Sequence, residues 1–569
     1  MMTLHRWMKL TLIAVLALSA LVRTARAGTD LAEEFATPPD AAKPWVNMNW
    51  IGRITPTDIT EHLEELKAKG VGGAMLIDLG AMEGGPYLSD KWRELFRHAL
   101  READRLGMKL GVNTCPGWPC GGPWITPQDS TWAVVSSETV IQGPQQFSGK
   151  LVEPRGKGAL YADVAVQAFP ITGGASDHPT VVTASSNPQD VPNLTDGSFN
   201  TVWKAGGEDK PWVQVDFGNP HKVDWTWIDM GGQAVIEASD DGVAFKPVAT
   251  LRMENNNPIY EAVPPATARW FRIVVPKNAT VRDVALGTRA EVERVARMAA
   301  KRAITNPLGV TATRQADQVS FVREDLAALP GDRPLPARDR IDLAGKITED
   351  GTLNWDVPPG TWKVVRIGRT TTGLGVAFGK GLLADYLSPA AMEQHYEQGI
   401  KPLLGDAGAL AGKTWQYSIE DNVEIDGIYS WTPRLLEEFQ QRRGYAPTAY
   451  LAAMAGEIVD NVEITDRFLA DVRRTIADCV AEGHYGRWAE LAHADGLQVR
   501  AEAGGQHHPR LLCNDGLMNQ GRMDVPVAEF WEIELWKENQ WSPTDHHSVI
   551  TPGWDEAAQN VNAKQAASA

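Results

Sequence analysis

The chain has 569 residues and a formal net charge of −17. That length allows two or three domains with sizeable cores, and the charge excludes nucleic acid or an anionic membrane surface as the natural partner. Four cysteines in such a length exclude a disulfide scaffold. Tryptophan is over-represented, with 21 Trp against 13 Phe and 10 Tyr. Many sit beside Gly, Pro and polar residues. That placement suits aromatic platforms with a hydrogen-bonding edge, such as those that receive sugars, as well as ordinary core packing.

His5, Arg6 and Lys9 precede an apolar run from Leu10 to Val22, followed by Ala25-Arg26-Ala27. Residues 1–27 therefore read as a secretory signal peptide, and the expected localisation is periplasmic or secreted. The run is too short for a membrane anchor. From residue 28 to 134 the texture alternates helix and strand. Thr55 is a candidate N-cap with Pro56 at the first helical position, Ile59, Leu63 and Leu66 form one stripe, and Gly70 ends it. Residues 74–79 read as a buried strand. The unit repeats, with Ser89 opening a helix over Phe96, Ala99, Ala103 and Leu106, Gly107 closing it, and 109–113 as the next strand. Continuous apolar strands between helices imply a parallel α/β sheet with the helices outside.

"CPGWPCGGPW" (115–124) follows that strand directly. It holds too much Pro and Gly for a helix or a central strand. As a loop at the C-terminal end of a parallel strand it lies where such folds build their sites. Cys115 and Cys120 are close enough to pair. Their C-x4-C spacing, without further ligands, supports neither a zinc clip nor a C-x-x-C redox pair. Cys479 reads as a buried core thiol.

Residues 135–287 read as a β-rich insertion. "WVQVDFG" (212–218) alternates with period two, "KVDWTWIDM", "AVIEASDDG" and "WFRIVV" are strand-like, and Asp241-Gly242 signals a hairpin. Within it, "LTDGSFNTVW", "PWVQVDFG", "IEASDDGVAF" and "ARWFRIVV" resemble, in order, the discoidin-like β-sandwich, over about 175–276. Residues 288–370 form a connecting region: 288–303 read as helix, and "GTLNWDVPPGTWKVVRIG" as strand–turn–strand. Residues 371–569 return to α/β. Thr432-Pro433 opens a helix over Leu436 and Phe439 that closes near Gly444. A long helix from about Thr465 carries Phe468, Val472, Ile476, Cys479 and Val480, and a further helical stretch surrounds Trp488 and Leu491.

Three carboxylates stand out by placement. "KTWQYSIED" (413–421) reads as a strand ending at Glu420, and "LQVRAEAGG" (497–505) as one ending at Glu502. "MDVPVAEFWE" (523–532) sets Glu529 before Phe530-Trp531. Acids at the C-terminal ends of parallel strands share one bowl. A pair of them in unlike surroundings can divide acid and base roles, as glycoside hydrolysis requires. The other reading, solvated surface charge, applies to most of the 72 acidic residues. His507-His508 and His546-His547 lack the spacing of a shared zinc site and read as polar contacts for sugar hydroxyls. No G-x-S-x-G, P-loop, G-x-G-x-x-G or H-E-x-x-H occurs.

The order "WVNMNWIGRITPTDITEHLEELKAKGVGGAMLID", "GVNTCPGWPCGGPWITP", "SIEDN…WTPRLLEEFQQRRGY", "VRAEAGG" and "DVPVAEFWE" resembles glycoside hydrolase family 106, the bacterial α-L-rhamnosidases. The resemblance runs from about residue 33 to the end, apart from the β insertion. It implies a (β/α)8 TIM-like catalytic barrel, an inverting mechanism and calcium at the sugar site. It also implies Glu420 as general acid, Glu529 as base, and Glu502 as a third site acid that binds calcium or tunes the base. Tyr417 departs from the family, whose members often place an Asp three residues before the acid. Trp118, Trp124, His507, Trp531 and Asp385 are the substrate-contact candidates; for the two loop indoles, burial as the loop's own small core is the alternative. Cys115–Cys120 would be at most a local staple. Too few strands can be counted to close a barrel, so the C-terminal part is expected to be incomplete. Competing readings are a non-catalytic sugar-binding protein and a glycosidase for another deoxysugar or a uronic acid.

Overall fold

Trp45–Trp50 forms the first strand, β1, with Met48 and Trp50 buried. The computed structural model describes residues 35–80, 85–154, 158–171, 181–195, 201–230, 232–252, 259–288, 292, 334–420, 431–503 and 515–527. Helix α1 (Pro56–Ala68) opens on a capping box. Thr55 Oγ1 accepts from the Asp58 amide, and Asp58 Oδ2 accepts from the Thr55 amide. Two otherwise orphaned donors are thereby satisfied. Ile59 and Leu63 face the sheet side, and the chain turns at Gly70 with φ +82°. Strand β2 (Gly73–Asp78) is buried at all six positions.

Helix α2 (Asp90–Leu106) starts at Ser89, whose hydroxyl accepts from the Trp92 amide, and stops at left-handed Gly107. Its buried stripe is Trp92, Leu95, Phe96, Ala99, Leu100 and Ala103. Each fully buried large side chain contributes about 1.5–3 kcal/mol relative to exposure. Strand β3 (Lys109–Pro116) runs three residues further than the sequence pattern suggests and takes Cys115 and Pro116 into the sheet.

Strands β4 (Trp132–Lys150) and β5 (Tyr161–Ile171) leave this unit. Then come β6 (Val181–Ala184), β7 (Trp203–Lys204), β8 (Trp212–Met230), β9 (Gln233–Ser239), β10 (Lys246–Arg252), β11 (Ile259–Val274) and β12 (Thr280–Gly287). These seven make an antiparallel unit of order β10-β9-β11-β8-β12-β7, with β6 also on β8. Its own core includes Trp203, Val213, Ile228, Ile236, Phe271 and Ile273. The segments "WVQVDFG" and "KVDWTWIDM" belong to the single long strand β8. The Asp241-Gly242 signal does fall between two antiparallel partners, β9 and β10. The helix expected at 288–303 lies outside the described residues apart from 288 and 292.

Strand β13 (Thr352–Thr371) pairs with both β4 and β5. This corrects the strand–turn–strand expectation for "GTLNWDVPPGTWKVVRIG". The strand continues through the Pro pair, and the register shifts between Val357 and Gly360. Pro358 and Pro359 have no N–H to give to a ladder, and a bulge absorbs them without breaking the pairing. The pairing also joins residues on both sides of the antiparallel unit into one small sheet.

The last part is helical before it returns to the central sheet. Helix α3 (Pro389–His395) runs through a π segment, Tyr396–Ile400, into α4 (Lys401–Ala407). Strand β14 (Trp415–Glu420) follows, then α5 (Leu435–Arg443), which ends at left-handed Gly444. Helix α6 (Val462–Cys479) begins three residues before the expected start, with Asn461 as its N-cap. It runs through a second π segment, Val480–Gly486, into α7 (Arg487–Ala494). Strand β15 (Gln498–Ala501), α8 (Gly516–Gln520) and β16 (Val525–Pro526) complete the described chain.

The central sheet is β1-β2-β3-β14-β15-β16, parallel throughout and in chain order. The observed class is thus mixed α/β, a parallel sheet with helices plus an antiparallel β unit. Among the described residues, β1 and β16 do not pair with each other, so the six strands do not form a closed barrel. Arg93 and Arg97 of α2 both reach Asp406 of α4, at 2.6 and 2.7 Å, tying the outer helices together. No described helix is long and apolar enough to cross a membrane.

Candidate active site

The C-terminal ends of β2, β3, β14 and β15 lie side by side, and each delivers a polar residue or a loop. Asp78 closes β2. It is buried and accepts from Trp92 Nε1 at 2.6 Å and from the Gly80 amide at 2.8 Å. Trp92 therefore ties α2 to the strand end as well as filling the core.

The 115–124 loop is pinned at several points. The Cys120 amide donates to the Tyr386 hydroxyl. Gly121–Gly122 pairs with Leu382–Leu383. A Cβ at Gly121 would lie 2.3 Å from the Leu382 carbonyl oxygen, and one at Gly122 would lie 2.4 Å from the Trp124 ring. Glycine is thus required by close approach. Trp124 is half-buried and donates its Nε1–H to His395 Nδ1 at 3.1 Å. Trp118 is half-buried, with its ring edge-on to Phe378 at 6.3 Å. Cys115 and Cys120 are both buried free thiols, so the pairing entertained above is not formed.

Glu420 ends β14 and is 1% exposed. Its Oε2 lies 2.7 Å from His484 Nε2, and its Oε1 has no hydrogen-bond partner among the described residues. His484 lies in the second π segment and is fully buried. The Tyr386 ring lies 4.2 Å from its ring. Burial, with the charge of Glu420 added, pushes the Tyr386 phenol well up; the same two causes and Cys115 push the Cys120 thiol well up. Both stay protonated. Burial, and then the neighbouring His484, push His395 down to about 3, so its imidazole is neutral.

The other anticipated residues lie as follows. Glu502 directly follows β15 and is half-buried, and its carbonyl accepts from Gln520 Nε2 at 3.4 Å. The same amide donates to the Val527 carbonyl at 2.8 Å, so Gln520 braces the ends of β15 and β16 together. Asp385 is buried. Thr432 Oγ1 donates to its Oδ2 at 2.7 Å and the Leu387 amide to its Oδ1 at 3.0 Å. Burial pushes it up to about 7 against those two donors. Glu529, His507 and Trp531 lie outside the described residues. The structure thus brings Glu420 together with Cys120, Tyr386 and His484.

Sequence reasoning did not find His484 or Tyr386. His484 continues a helical pattern between Cys479 and Trp488, and nothing in that pattern marks a turn that reaches a strand end.

Ligand atoms of Cys120, Glu420 and His484 lie within 4.8 Å of one another. A sulfur, a nitrogen and a carboxylate oxygen do not suit calcium, which takes six to eight oxygens. The close Glu420–His484 contact also pairs those two groups with each other.

A parallel sheet whose strand ends gather a buried carboxyl, a histidine and aromatic side chains defines an α/β enzyme site. The chain belongs to glycoside hydrolase family 106, the α-L-rhamnosidases, whose sequence profile matches residues 36–548. The rhamnosidase from Novosphingobium sp. PP1Y is 28% identical with a TM-score of 0.64, over 89% of this chain and 50% of its own. A Formosa agariphila protein whose name places it, provisionally, among the β-glucuronidases is 26% identical over 513 residues, 88% of this chain and 32% of its own length. The chain thus spans half of the first protein and about a third of the second. A module named CpGH89CBM32-6, produced by Clostridium perfringens, is 26% identical over 19% of this chain and 91% of its own, with a TM-score of 0.16.

Proposed function

We propose that this chain carries the catalytic centre of an exported, inverting α-L-rhamnosidase, with Glu420 as general acid and Glu529 as general base. One observation carries this reading. Glu420 is a buried carboxyl at the end of a central parallel strand, with one oxygen bound to His484 and the other without a partner among the described residues. A general acid needs one carboxyl oxygen that is not committed to another partner, and Oε1 meets that requirement among the described residues.

In this reading Glu420 gives its proton to the glycosidic oxygen as the bond from C1 to that oxygen breaks. On the opposite face Glu529 takes a proton from the water whose oxygen attacks C1, which inverts the configuration. The two carboxyls would stand roughly 6.5–9.5 Å apart to leave room for that water. Six adjacent parallel strands in chain order fit most of a (β/α)8 barrel. The N-terminal pattern supports export. Calcium enters at Glu502 on the strength of the resemblance alone; loss of activity on chelation and its return with added calcium is the expected result. A second reading, hydrolysis of a uronic acid glycoside, is favoured by the name of the Formosa relative.

The test is hydrolysis of an aryl α-L-rhamnoside and an aryl β-D-glucuronide by the wild type, Glu420→Gln, Glu529→Gln and Glu502→Gln. Rhamnoside turnover should fall roughly 10²–10⁴-fold in the first two variants. An unchanged rate in Glu420→Gln overturns the acid. A loss in Glu502→Gln with none in Glu529→Gln exchanges those two. Turnover of the glucuronide alone establishes the second reading.

A further inference from the structure

Glu420 has a partner to which the proposed reaction gives no part. We propose that His484 is a positioning residue for Glu420, donating its Nε2–H to Oε2 so that the reacting proton sits on Oε1. The inference rests on the reading of Glu420 as the acid.

A carboxyl has two equivalent oxygens, and its proton can sit on either. A fixed donor on one oxygen makes them unequal. The 2.7 Å Nε2–Oε2 contact commits Oε2 to the histidine, and Oε1, itself buried, is the carboxyl oxygen without a hydrogen-bond partner among the described residues. The histidine is itself immobilised. It is fully buried, packed by Tyr386 at 4.2 Å and by Tyr485, edge-on, at 4.8 Å. It is also placed by an irregularity. The π segment Val480–Gly486 interrupts the helical run between α6 and α7, and widened turns of this kind set side chains where a regular helix would not.

The titratable groups facing the pair come from every neighbouring element. Cys120 comes from the loop after β3, Tyr386 from the segment before α3, His395 from α3, and Tyr485 from the π segment itself. Burial keeps the Cys120 thiol and the Tyr386 phenol protonated, and holds His395 neutral. None of these three exchanges a proton with the pair near neutral pH. In turnover Oε1 gives its proton to the leaving oxygen as the C1–O bond breaks. The charge left on Glu420 is then held by Nε2–H, and a solvent proton restores Oε1.

The test uses the full chain with two substrates, phenyl α-L-rhamnoside, whose leaving group needs a proton, and 2,4-dinitrophenyl α-L-rhamnoside, whose leaving group does not. His484→Ala should lower kcat on the phenyl substrate about 10-fold or more and on the dinitrophenyl substrate less than about 3-fold. His484→Gln restores an N–H and should recover most of the phenyl rate. A purely structural role would lower both substrates alike, together with Tm, and equal losses or no loss in both variants overturn the proposal. Glu420→Gln is run in parallel. If it shows no preference between leaving groups, the acid assignment itself falls. If it shows one and His484→Ala does not, only the present inference falls.

Discussion

Trp124 donates its indole Nε1–H to Nδ1 of His395, 3.1 Å away, and so fastens the Gly-Gly loop to helix α3. The ring also lies against Tyr87 and the hydrophobic core. Trp118, six residues earlier, has an indole contact only with Phe378 among the described aromatic pairs. The two tryptophans should therefore respond differently. Trp124→Phe leaves a buried acceptor unpaired and is expected to cost about 1–3 kcal/mol of stability, read by denaturant titration. Trp118→Ala is expected to raise KM with little change in Tm. The reverse pattern would exchange packing and substrate contact between them.

Asp385 gives a pH signature. Its folded-state value, about 7, lies above the ordinary carboxylate range because the carboxyl is buried. The folded protein then binds more protons than the unfolded chain between the two values. The stability from this group is fully present below about pH 4 and is lost as pH rises through about 7. Asp385→Asn keeps an acceptor for the Leu387 amide and cannot ionise. It should flatten the fall in Tm between pH 4 and 7 relative to wild type. An identical pH dependence in both proteins would show that Asp385 does not hold that proton.

The thiols of Cys115, Cys120 and Cys479 are free and buried. Burial, with the charge of Glu420 and Cys115 added, keeps the Cys120 thiol well up, and burial pushes Cys479 up to about 12. Thiolate is the reactive form, so neither Cys120 nor Cys479 should be alkylated at neutral pH until the protein unfolds. Reducing agent should leave Tm unchanged. A peptide linking Cys115 to Cys120 in a non-reduced digest would contradict this.

The local elements were the most legible in the sequence. Helices α1 and α2 carry their own start and stop signals in Thr55, Pro56, Ser89 and Gly107, together with a stripe at helical spacing. Strand β1 was missed because "WVNMNW" becomes a strand by pairing with β2, a non-local partner with no mark in six residues. The joining of β4, β5 and β13 into one sheet was hidden for the same reason, since its partners lie some two hundred residues apart. At the site, Glu420 was legible because strand ends in a parallel sheet converge. His484 was not, since its approach to Glu420 depends on a π segment and on the packing of a helical run against β14. Trp488 Nε1, donating to Ser418 Oγ at 3.1 Å, holds that packing in place.

The stereochemical course of the reaction tests the central claim most directly. Proton NMR of the anomeric signals, followed from the first minutes of aryl α-L-rhamnoside hydrolysis, shows which anomer appears before mutarotation. An acid at Glu420 working with a water-activating base across the sugar produces β-L-rhamnose first. Initial α-L-rhamnose would mean a retaining double displacement, with the two carboxyls only about 5–5.5 Å apart, and would contradict the account.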